Sequence, residues 1–266
     1  MMKDQFARQV RLLAKVLPYV AREENFSLKG GSAINYFHRD FPRLSVDIDL
    51  TWLPLGERAE SLSAIDATLS RIGNSIQTGI TGTKVFFDPA RRPATRLRVF
   101  QGETDIKIET SPVQRGNVHQ VLPRMATDRA KTLFGNTKVQ VVSFEEMYAG
   151  KLNAALDRQH PRDLFDVKLL YEHEGLTEEL FRTFLVYLAG SPRPPHEILK
   201  PNPIDIKKRF TKDFEGMQLT PVSENELLSV RERLFADIQS RLDYPAKRFL
   251  LGLHDAKPDF DAIRRP

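Results

Sequence analysis

The sequence predicts an α+β protein, with a mixed α/β N-terminal part followed by a helical C-terminal part. Three observations carry this. Short apolar runs with period two cluster before residue 138. Apolar positions at helical spacing dominate after it. The Pro-rich stretch 190–203, "GSPRPPHEILKPNP", reads as a linker or long loop inside the second part. The predicted domains are therefore 1–138 and 139–266.

The elements follow in order. Phe6, Val10, Leu13, Val16, Leu17 and Val20 form one face of a first helix over 4–23. Phe26–Lys29 is a short strand running into a Gly30-Gly31 turn, and Ser32 is placed to cap a helix over 33–38. Residues 43–52 alternate as a strand, and 57–72 read as a helix. Three strands are expected over 84–88, 95–101 and 104–110, the last two joined at Gly102-Glu103. After a brief apolar run at 139–142, Ser143 and Glu146 form an S-x-x-E signature opening a helix to about Arg158. Pro161 suits the first turn of the next helix, up to about His173. Further helices are expected over 178–189, 224–242 and 246–253.

Bulk properties exclude several classes. A chain of 266 residues with 41% hydrophobic and 28% charged residues can build a real core. It has no cysteine, which removes disulfides, cysteine-based zinc sites and thiol nucleophiles, and fits a cytoplasmic setting. No apolar run has the length of a signal peptide core or a membrane span, so no membrane partner is expected. The net charge of +5 and pI near 9.4 suit a phosphate-rich partner.

The most informative stretch is "LKGGSAINYFHRDFPRLSVDIDL", residues 28–50. On a strand, Leu44, Val46, Ile48 and Leu50 would share an apolar face, and Arg43, Ser45, Asp47 and Asp49 a polar one. Two carboxylates spaced so closely repel unless a cation sits between them, and Mg²⁺ favours such oxygen ligands. Gly30, Gly31 and Ser32 supply backbone N–H groups for a phosphate cradle. In "TDIKIET", Asp105, Lys107 and Glu109 share one strand face and offer a further carboxylate. Lys151 sits mid-helix among Ala149, Gly150, Ala154 and Ala155, which leaves room for a ligand such as a triphosphate oxygen. Asp163 and Asp166 lie three apart, on one face of the next helix. His38, His119, His160 and His173 lack the spacing of metal ligands and read as surface or loop residues. Trp52 and the phenylalanines read as core, and "KKRF" at 207–210 is too short for a nucleic-acid motif.

"KGGSAINYF…RLSVDIDL" resembles the opening motif of nucleotidyltransferases with the polymerase-β-like fold. It is most similar to the AbiEii and MenT-type toxins of abortive-infection and toxin–antitoxin systems. The gap between Ser32 and Asp47 is longer than in many antibiotic-modifying relatives. Lys107-x-Glu109, Lys151 and Arg162-Asp163…Asp166 resemble the later motifs, in family order, so the resemblance spans Lys29 to Asp166. It implies two Mg²⁺ ions on Asp47, Asp49 and Glu109, with Asp105 the alternative third carboxylate. It implies nucleotide binding by Gly30, Gly31, Ser32, Arg43, Ser45, Lys107 and Lys151, with Asp163 or Asp166 orienting Lys151, Arg162 or the acceptor. The implied reaction moves a nucleotidyl group from a nucleoside triphosphate to the 3′ end of tRNA, blocking aminoacylation, in a toxin paired with a separately encoded antitoxin. The competing classes are a protein or small-molecule nucleotidyltransferase, and a non-catalytic nucleic-acid-binding module.

Overall fold

The computed structural model describes residues 4–90 and 92–264. The chain divides into two compact units, Met1–Ser143 with Gly216–Thr220, and Phe144–Glu215 with Pro221–Pro266. Among the described residues no helix is long and apolar enough to cross a membrane.

The first unit is built on a seven-stranded mixed sheet. Its elements are α1 (Asp4–Val20), β1 (Phe26–Lys29), α2 (Gly30–Ala33, continuing as a π-helical turn Ile34–His38), β2 (Asp47–Trp52), α3 (Arg58–Gly79), β3 (Thr83–Phe87), β4 (Arg96–Gln101), β5 (Thr104–Arg115), β6 (Leu122–Met125), α4 (Asp128–Phe134) and β7 (Lys138–Val141). The strand order is β3-β4-β5-β2-β1-β7-β6. β2 pairs antiparallel with β1 and parallel with β5, while β3, β4 and β5 form an antiparallel meander. One face is apolar and buried, with Leu97, Val99, Ile106, Ile108, Ile48 and Leu50 at 0–1% exposure against α1 and α3. Burying such side chains supplies about 1.5–3 kcal/mol each. The opposite face of β2, β4 and β5 carries charged residues, as period-two alternation requires.

Several boundaries differ from the sequence reading, each for a packing reason. Regular pairing in the predicted strand 43–52 begins only at Asp47. Arg43 instead bridges to Gln218, and Leu44 N–H and Leu219 N–H complete that return at 2.8 and 2.9 Å. Arg43 and Ser45, assigned to an open polar face, are buried at 2% and 6% exposure. Ser32 is not a cap: the helix starts at Gly30, and Ser32 lies inside it with its hydroxyl donating to Asp47 O at 2.5 Å. The helix read as 57–72 runs to Gly79, and β5 runs on to Arg115. β6 and α4 carry too little apolar periodicity to be read; tertiary contacts hold them, β6 against β7 and Phe134 against Tyr36 with ring centroids 4.7 Å apart. β7 joins the sheet beside β1, so the boundary at 138/139 falls inside a strand.

The second unit is helical: α5 (Phe144–Arg158), α6 (Pro161–Glu172), α7 (Glu178–Ala189), α8 (Pro195–Leu199), α9 (Lys207–Arg209, running into a π-helical turn Phe210–Phe214), α10 (Glu224–Ser240), α11 (Tyr244–His254) and a 3₁₀ turn Phe260–Ala262. The presumed linker 190–203 therefore contains α8, with Ile198 and Leu199 buried. α5 packs against α7, and a Cβ on Gly150 would meet the Tyr187 ring at 3.4 Å. Gly150 thus serves the packing of α5 on α7. Ser223 and Glu226 form a full capping box at the start of α10.

His160 is not a surface residue. It caps α6, its Nδ1 accepting the Arg162 N–H at 3.2 Å. Burial, with Arg162 beside it, pushes its pKa down to about 4. The unfolded chain takes up this proton near 6.5 and the folded chain near 4, so stability is lost as pH falls across that window. The loss should total on the order of 3 kcal/mol. His160→Asn retains a capping oxygen and is expected to flatten this acid limb in urea denaturation near neutrality and near pH 4.

Candidate active site

The predicted carboxylates meet on the charged face of the first unit's sheet. Strand register places Asp49 opposite Glu109 on β5 and opposite Lys29 on β1. Asp47 stands opposite Lys107, and beyond β5, Arg96 and Arg98 of β4 stand opposite Glu109 and Lys107. One transverse row therefore reads Lys29–Asp49–Glu109–Arg96, and the next Asp47–Lys107–Arg98–Phe86. Asp105 lies opposite Phe100, past the start of β2, and pairs with Arg98 at 2.6 Å. Register thus makes Glu109, not Asp105, the carboxylate beside Asp49.

Like charge crowds this face. Burial, then Asp47 and Glu109, raises the Asp49 pKa to about 6, against the pull of Lys107 and Lys29. Burial also works against the Glu109 anion, but Lys107 at 2.7 Å and Arg96 at 2.9 Å outweigh it and hold that carboxyl below the ordinary range. Three carboxylates of adjoining strands suit a hard divalent cation. The donor set therefore fits Mg²⁺ in chemistry. It is not drawn together: among the described residues no three acidic or histidine side chains are grouped tightly enough to hold a metal. Glu109 is turned to its two cations and would have to leave them to join such a group.

The glycine pair belongs to the same construction. Gly30 has φ +70, and a Cβ there would overlap Asp49 Oδ2. A Cβ on Gly31 would stand 2.7 Å from Ser45 Oγ and 3.0 Å from Arg43 Nη2. The turn lies directly on the Asp49 side chain, and only glycine permits the approach. Arg43 donates to Leu44 O at 2.7 Å, and the Tyr36 hydroxyl binds Ser45 O and Ser45 N, both at 2.6 Å. Arg43 and Ser45 thus support the turn from beneath. A cleft of about 290 Å³ opens beside Asp47, lined by Gln9, Arg96, Arg98, Asp105 and Lys107 among others.

In the second unit, Lys151 Nζ pairs with Asp163 at 2.7 Å and Asp166 at 2.9 Å, all three at most 6% exposed. Arg158 also engages Asp163, at 2.6 Å. Burial disfavours the Asp163 anion, but Lys151 and then Arg158 overcome that and depress its pKa strongly. The i, i+3 spacing puts both aspartates on the lysine. Sequence reasoning missed Lys29, Arg96 and Arg98; the alternation "RLR" facing "DIKIE" across a hairpin was the available signal.

Two expectations follow. Asp49 in the unfolded chain titrates near 3.8 and in the fold near 6, so the metal-free fold loses stability as pH rises between them. Asp49→Asn should raise metal-free stability at neutral pH by on the order of 1–3 kcal/mol, measured by urea denaturation. Lys151→Met removes the cation shared by two buried carboxylates, of which Asp163 keeps Arg158, and should cost about 3–5 kcal/mol in the same assay; a loss below about 1 kcal/mol would contradict the buried pairing.

Comparison with known proteins identifies the family and the fold. The family model for "Nucleotidyl transferase AbiEii toxin, Type IV TA system" matches residues 11–265. Among solved structures, the nucleotidyltransferase toxin MenT4 from Mycobacterium tuberculosis superposes with a TM-score of 0.70 at 17% identity, covering 98% of this chain and 94% of its own. That likeness shows the fold. A terminal uridylyl transferase 4 from Trypanosoma brucei with bound dUTP gives a TM-score of 0.31 at 13% identity, over 89% of this chain and 69% of that one, too low to carry an argument. No match is found among curated proteins. With the carboxylate face, the glycine turn and a family match over nearly the whole chain, the protein belongs to the AbiEii family of nucleotidyltransferase toxins.

Proposed function

We propose that the protein transfers a nucleotidyl group from a nucleoside triphosphate to the 3′ end of tRNA and releases pyrophosphate. The observation that carries the chemistry is the Gly30-Gly31 turn lying against Asp49, with Asp47 and Glu109 on the same sheet face. Backbone N–H groups of the turn hold the β- and γ-phosphates, and Lys29 and Lys107 add positive charge beside them. Arg43 and Ser45 shape this cradle from below. Lys151, Asp163 and Asp166 satisfy one another within the second unit and are given no contact with the nucleotide. Asp47, Asp49 and Glu109 would hold two Mg²⁺ ions, which when bound supply charge stabilisation to the phosphoryl oxygens.

The acceptor oxygen bonds to the α-phosphorus as the α–β bridging bond breaks. Pyrophosphate leaves with that electron pair, and the hydroxyl proton is released. No covalent enzyme intermediate is needed, because positioning and electrostatics provide most of the rate. The net charge of +5 favours a polyanionic acceptor, and a single-stranded 3′ end exposes its hydroxyl without melting a helix. Blocked aminoacylation would stop growth, and an antitoxin encoded separately would restrain the enzyme, as the family's toxin–antitoxin description suggests.

Label transfer tests this. With bulk tRNA, Mg²⁺ and each α-labelled nucleoside triphosphate in turn, the wild type should label tRNA. The Asp47→Ala/Asp49→Ala variant should lose at least about 100-fold. Label appearing on protein or on a small molecule would keep the transferase and replace the acceptor.

A further inference from the structure

On the reading just given, the acceptor must arrive from a definite side. In-line displacement puts the attacking and leaving oxygens on opposite sides of the α-phosphorus. The glycine turn that would hold the leaving pyrophosphate lies at β1 and β2, on one side of the carboxylates. The acceptor side is then β5, β4 and β3.

The sheet face on that side is unlike an ordinary polar surface. It ends on Phe86, a phenylalanine on edge strand β3 that is 54% exposed. Phe86 meets the half-buried Phe100 edge to face at 5.3 Å, and the Arg98 guanidinium lies over Phe100 at 5.0 Å. Arg96 and Arg98 each keep 54% side-chain exposure while pairing with Glu109 and Asp105. Lys84 of β3, also exposed, stands opposite Phe100. Three strand spacings, about 14 Å, separate Asp47 from Phe86 along their row, and the cleft of about 290 Å³ is lined by the Asp47, Lys107 and Arg98 members of that row.

We propose that this face is a platform for a single-stranded RNA segment, with one base stacked on Phe86 and backbone phosphates against Arg98 and Lys84. An aromatic ring offered for stacking beside exposed arginines is the combination that single strands require. A protein strand added to the β3 edge would use backbone groups and would have no need of the Phe86 ring.

The test measures binding alone, without nucleotide or turnover. A fluorescein-labelled single-stranded RNA of about eight nucleotides is titrated by anisotropy against the full chain at several salt concentrations. The wild type should bind with affinity falling steeply as salt rises. Phe86→Ala should weaken binding roughly 5- to 100-fold, and Phe86→Trp should retain it. Arg98→Gln should lower the slope of log affinity against log salt by about 0.7. Thermal unfolding confirms that the variants fold, as expected for exposed positions. Wild type and Phe86→Ala binding equally would overturn the platform and place the RNA elsewhere on the chain. No RNA binding by the wild type would overturn it too. Because no transfer is read, a failed label-transfer assay leaves a positive result here standing, and the converse also holds.

Discussion

Electrostatic repulsion among Asp47, Asp49 and Glu109 is the constraint around which the first unit is arranged. Register puts Asp49 directly beside Glu109, and Asp47 follows two residues earlier on the same face. The fold meets this charge with Lys29, Lys107 and Arg96, each on a strand adjoining one of the carboxylates. Burial first, and the neighbouring Asp47 and Glu109 next, still raise the Asp49 pKa to about 6.

The glycine turn is a consequence of the same crowding. The chain passes so close to the Asp49 carboxylate that a side chain at Gly30 has no space, and Gly31 is closed by Ser45 and Arg43. The buried Arg43 is therefore part of the turn's foundation. The second unit solves a related problem differently. Lys151, Arg158, Asp163 and Asp166 carry opposite charges in equal number and satisfy one another, with Lys151 and both aspartates buried and Arg158 reaching in from the surface. Removing one partner there is far costlier than the pair's net contribution, so a variant's lost activity can reflect lost folding.

The legible part of the site was the part written in local spacing. Asp47-x-Asp49 and Lys107-x-Glu109 alternate with isoleucines, so their shared faces follow from the pleat alone. Asp163 and Asp166 share a helix face by the same kind of argument. Ser32 was misread because a serine after two glycines looks like a cap, whereas the helix begins at Gly30 and the hydroxyl is spent on Asp47 O. His160 was misread because nothing local reveals that a loop histidine is buried. Gly150 suggested room for a ligand, but its open side faces Tyr187, which lies far away in sequence.

The sequence by itself determined the α+β order, the longer helices, most strands and which residues share a face, since each depends on a period of two or 3.6 residues. Tertiary structure alone decided what those faces meet. Parallel pairing of β2 with β5 set Glu109 rather than Asp105 beside Asp49. The glycine helix and the segment 216–220 closed over Arg43, while the edge position of β3 left Phe86 open. Alternation names two faces but not which is covered, because cover comes from residues distant in the chain.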